Sequence, residues 1–175
     1  DAPLALDYLG LSGTAIQQDS QTIFNSLRDI GCKLVVFPVT CEEMSTNLNS
    51  MLAKQAGQRF GPTHQAMLKR EVMIEFVRTV AQKPEEALEK VGINIRPIEV
   101  TMYPNSHKYF TPEQHDDFYS RISWGADVSA RDHDADCMTL LMRLRESRQS
   151  SDIFKTRFVF ATRNPTFVRV SKEYC

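Results

Sequence analysis

The sequence predicts an α/β fold, a parallel sheet flanked by helices, from three observations. A helical pattern over residues 17–30 runs directly into a short apolar run, 33–37, and then into a second helical pattern opening at Thr40. A second β-branched and aromatic run, 157–161, lies between the helical pattern of 132–146 and a closing helix. The chain is also long enough, at 175 residues with 42% hydrophobic, to bury a core within one domain.

The elements follow in order. In 17–30, Ile23, Leu27 and Ile30 fall at spacings of four and three, Asp19 or Ser20 is available as N-cap, and Gly31 stands where a helix stops. The run Lys33-Leu-Val-Val-Phe37 is closed by Pro38 and reads as a buried strand. Thr40 opens a helix to about residue 55 with Met44, Leu48, Met51 and Leu52 on one face, and Glu43 completes a capping box with Thr40. After Gly61-Pro62, residues 64–82 read as one long helix carrying Met67, Leu68, Val72, Phe76, Val77 and Val80. Lys83-Pro84 ends it, and Pro84 starts a short helix that Gly92 stops. Residues 93–100 alternate apolar and polar as a half-exposed strand or an extended segment, and Pro97 demotes a strand there to a sheet edge. Thr111-Pro112-Glu113 starts a helix that runs toward Trp124, with Phe118 and Ile122 on one side and Gly125 at its end. In 132–146, Cys137, Leu140, Leu141 and Leu144 keep helical spacing, with Asp134 and Asp136 in the first turn, where the helix dipole favours acids. The strand 157–161 leads into Thr162-Arg-Asn164-Pro165 and a closing helix with Phe167 and Val170.

Composition narrows the function classes. The 21 Lys and Arg against 22 Asp and Glu leave a charge of −1, so whole-molecule charge predicts no affinity for nucleic acid or anionic membrane. No run of eighteen apolar residues and no fixed-period repeat occurs, which excludes membrane-spanning and solenoid readings. The charge is unevenly distributed. Residues 111–136 hold seven acids and two bases, a local −5, whereas residues 143–175 hold eight bases and three acids, a local +5. Such a pair suits a cation site beside a polyanion track, set against the ordinary reading of a charge run as a solvated face. Cys32, Cys41, Cys137 and Cys175 show no C-x-x-C spacing and the four histidines are scattered, which argues against structural zinc. With no disulfide pattern or visible signal sequence, a cytoplasmic location is expected. The start at Asp1 rather than Met suggests a single domain, 1–175, from a longer chain.

The candidate chemistry lies at strand ends and helix starts. Asp1, Glu43, the pair Asp134 and Asp136, and Asn164 are polar groups from separate segments, the kind of set a hard divalent cation draws on together with water and substrate phosphate. Thr162, Arg163, Arg143 and Lys155 are the candidate phosphate contacts, the arginines as forked donors. Phe60, Tyr103, Tyr109, Phe110 and Tyr119 are available to stack bases, in competition with core packing.

Read in order, Asp1-Ala-Pro-Leu-Ala-Leu-Asp7, Val39-Thr40-Cys-Glu-Glu43-Met, His133-Asp134-Ala-Asp136-Cys and Phe160-Ala-Thr162-Arg-Asn164 resemble the motifs of PIN-domain nucleases over nearly the whole chain. The resemblance implies a three-layer α/β/α fold with a central, mostly parallel sheet. It also implies an endoribonuclease that hydrolyses RNA, or single-stranded DNA, through carboxylate-held Mg²⁺ or Mn²⁺. Asp1 matches the family's first acid, Glu43 its second, Asp134 or Asp136 its third and Asn164 its fourth polar position. Ala2-Pro3 and the amide of Asn164 depart from the family pattern. They motivate a second expectation, a catalytically degenerate PIN-like module that binds nucleic acid or protein, including other domains of its own chain or a second copy. The His133-Asp134 doublet also resembles that of HD-type phosphohydrolases, an all-helical family that needs further His and Asp ligands.

Overall fold

The structure, a computed structural model, describes residues 1–102, 107–122, 128–150, 152 and 155–174. The expected helix end at Trp124 and Gly125, the acid Asp127, the candidate stacking residue Tyr103 and Cys175 lie outside the described residues. Two compact units divide the chain, Asp1–Arg96 and Pro97–Cys175.

The three-layer α/β/α expectation is overturned. Among the described residues the protein is mostly helical, with one sheet of two short parallel strands. In the first unit, α1 (Ala2–Tyr8) and α2 (Thr14–Asp29) precede β1 (Val35–Val36). Helices α3 (Pro38–Ala53), α4 (Pro62–Leu68), α5 (Ile74–Gln82) and α6 (Pro84–Lys90) then lead to β2 (Asn94–Ile95). Val35 pairs with Asn94 and Val36 with Ile95. Both strands are cut short by proline. Pro38 takes the first helical position of α3, where its fixed φ and missing N–H are harmless, so Phe37 rather than Thr40 is the N-cap and the expected capping box does not form. Pro97 similarly stops β2 soon after Ile95, because it has no N–H to give to a ladder.

The first core gathers Ala2, Leu6, Leu9, Leu11, Met44, Leu48, Val77, Val80, Leu88 and Ile93. Helix α2 ends as its sequence predicts: Gly31 N–H reaches the Arg28 carbonyl and Cys32 N–H the Leu27 carbonyl, the two bonds of a Schellman cap. The single helix expected over 64–82 is instead two, α4 and α5. The same cap closes α4, with Arg70 N–H on Met67 O and Glu71 N–H on Ala66 O. Its left-handed position is filled not by glycine but by Arg70, at φ 61°.

The second unit contains α7 (Pro112–Arg121), α8 (Val128–Arg145) and α9 (Pro165–Ser171). Thr111 caps α7 as expected: its hydroxyl accepts from Gln114 N–H while Gln114 Oε1 accepts from Thr111 N–H at 2.9 Å. Helix α8 already includes Val128, four residues before the expected start, so Asp134 and Asp136 lie beyond its first turn and the dipole argument no longer covers them. The strand expected over 157–161 is not formed. Of its apolar residues Phe160 packs on Phe167 of α9, at 4.9 Å between ring centroids, while Val159 and Ala161 are exposed. Phe110, Phe118, Ile122, Ala135, Met138, Met142, Phe167 and Val170 make this unit's core.

Candidate functional site

Asp1 is the N-cap of α1, and its carboxylate accepts from Leu4 N–H at 3.1 Å. Glu43 is half-buried in the second turn of α3, next to the buried Met44. These two acids belong to the first unit, whereas Asp134, Asp136 and Asn164 belong to the second.

Within the second unit, two of the expected positions meet. Asn164 Nδ2 donates to Asp134 Oδ2 at 2.7 Å, across 30 residues of sequence. The amide orientation follows from its other bonds, since Oδ1 accepts from Thr166 and Phe167 N–H at 3.0 and 3.1 Å and so caps α9. Thr162 shapes the turn, its Oγ1 accepting from Asn164 N–H at 2.9 Å. Asn164 therefore presents a donor to Asp134 and an oxygen to its own helix. Asp134 Oδ1 lies 3.7 Å from His133 Nδ1, and the aspartate side chain is 15% exposed.

Asp136 is separated from this pair. Two residues on, it faces α7, where its Oδ1 is 3.8 Å from His115 Nε2. His115 Nδ1 is 3.1 Å from Asp116 Oδ1, and the imidazole lies nearly parallel to Tyr119. Arg131 of α8 places its guanidinium over the same tyrosine at 4.0 Å and donates from Nε to the Tyr119 carbonyl. The Asp136 carboxylate, chiefly, and Asp116 hold the His115 pKa above its usual value, while partial burial opposes them. Sequence reasoning missed this cluster. The His115–Tyr119 spacing of four on one helix was its only local signal, because Asp136 comes from another helix.

The candidate phosphate contacts divide. Arg163 is exposed. Lys155 is exposed and 3.4 Å from Asp152. Arg143 is buried, and its guanidinium donates to the carbonyls of Phe110 and Val100 at 3.2–3.4 Å, so it faces backbone rather than solvent. Tyr109 is half-buried and Phe110 sits in the core. Phe60 is exposed, with the Lys54 ammonium over its ring at 4.1 Å.

Among the described residues the His133-Asp134 doublet belongs to no group of three or more potential metal ligands. His133 is buried and turns Nε2 to Cys137 Sγ at 3.4 Å, one helical turn away. Among the described residues no group of three or more His, Cys, Asp or Glu side chains is arranged to hold a metal ion, and no helix is long and apolar enough to cross a membrane. No family model matches the chain, and no curated protein or solved structure matches it at significance.

Proposed function

We propose that the chain is a divalent-cation-dependent endoribonuclease whose second unit contributes Asp134 as the key carboxylate. One observation carries the reading: the third acid and the fourth polar position of the motif order, distant in sequence, are joined at 2.7 Å. The donor set suits a sparse shell. Mg²⁺ keeps several waters and takes one or two carboxylates together with substrate phosphate, so a single oriented aspartate is a sufficient protein anchor. Held there, the ion would supply Lewis-acid chemistry toward the phosphodiester and its attacking water. Asn164 fixes the carboxylate by donating to Oδ2, and Thr162 fixes Asn164. Arg163, which is exposed, and Lys155, which would have to exchange Asp152 for phosphate, are the proposed contacts to an RNA backbone. RNA is the proposed substrate, single-stranded DNA its competitor, and the cytoplasm the proposed location.

The test mixes fluorescent RNA with the protein and Mn²⁺ and compares Asp134→Asn, Asn164→Ala and Glu43→Gln. Asp134→Asn is expected to abolish cleavage and Asn164→Ala to lower it about 10–100-fold, as for partners that orient a metal-binding group. Unchanged cleavage in Asp134→Asn removes the proposal, and Glu43→Gln, in the other unit, is expected to leave cleavage unchanged.

A second reading, an interaction module without catalysis, is favoured by the use made of two candidate ligands. The Asp1 carboxylate and the Asn164 carbonyl oxygen both serve helix capping. Calorimetric titration with Mn²⁺ separates the two readings: the module shows no binding tighter than millimolar, and a clear site counts against it.

A further inference from the structure

We draw no further inference here: the strongest candidate, the groove between α3 and the α5–α6 junction lined by Cys41, Glu42, Glu85 and Glu86, is an acidic cluster beside a lone cysteine, and nothing in the structure shows what it would bind.

Discussion

Asn164→Ala removes two interactions at once, and their sizes can be separated. Its Oδ1 satisfies two of the open N–H groups at the start of α9, and loss of such a cap costs about 1 kcal/mol. Its Nδ2 bonds a carboxylate whose side chain is only 15% exposed, and a hydrogen bond to a charged group contributes about 1.5–3 kcal/mol. The variant is therefore expected to lose about 2.5–4 kcal/mol. Asn164→Ser keeps an oxygen at the cap and loses only the bond to Asp134, so its loss is about 1.5–3 kcal/mol. Because the chain has two compact units, urea unfolding is best read with peptide-resolved hydrogen exchange over α9, which reports the affected unit directly. A double-mutant cycle of Asn164→Ser with Asp134→Ala is expected to show coupling of about 1 kcal/mol or more. Additivity within about 0.3 kcal/mol, the scatter of independent sites, refutes the joint.

Three further outcomes are expected. Arg70→Gly relieves the left-handed residue after α4 and raises stability by about 1 kcal/mol, whereas Gly92→Ala, at φ 75°, costs about 1–2 kcal/mol as its new Cβ meets the Arg28 guanidinium at 3.1 Å. Matching shifts of the urea midpoint check both, and an unchanged midpoint in either sinks the backbone argument. His115 has a folded pKa raised above an unfolded value of 6.5, so its contribution to stability is complete below that pH and is lost as pH rises through the raised value. Urea midpoints across about pH 5–8 should show this loss in the parent and a flatter profile in Asp136→Asn; identical profiles count against the pair. Cys41 is 3% exposed and its thiol is pushed up to about 12 by burial and then by the Glu85, Glu42 and Glu89 carboxylates. Native alkylation near pH 8 should therefore modify the exposed Cys32 and leave Cys41 and the buried Cys137 until unfolding, and rapid labelling of Cys41 in the native protein contradicts the burial.

The fold was legible where an element's end carries its own chemistry. Gly31, Pro84, Gly92, Thr111-Pro112 and Asn164-Pro165 each mark a boundary through a backbone property of the residue itself, and α2, α6, α7 and α9 begin or end at them. The break between α4 and α5 has no such mark, because the residue that turns left-handed is Arg70 and nothing about an arginine announces that. The sheet was misread for a related reason. An apolar β-branched run looks the same whether it will pair with another strand or cover a helix, and pairing is decided by distant residues. In 157–161 it is Phe160 that covers the helix, through Phe167, and β1 was limited by the better fit of Pro38 as a helix start.

The candidate site shows the same division between local and distant information. Motif order left Asp134 and Asp136 as alternatives for one role, although two residues along an α-helix turn a side chain through about 200° and guarantee that they face different neighbours. Which neighbour each one meets depends on how α8 packs against α7, which no motif covers, and against the turn before α9, whose motif names Asn164 without saying which aspartate it meets. The partners sort the pair: Asp134 is tied to Asn164, and Asp136 to His115. Substitutions at the two aspartates should consequently dissociate. Asp134→Asn should loosen α9 and, on the proposed nuclease reading, remove Mn²⁺-dependent cleavage, while Asp136→Asn should leave α9 protection intact and alter the pH profile of stability. If both variants give one phenotype, the two carboxylates act on a common group and the division drawn from their partners is wrong.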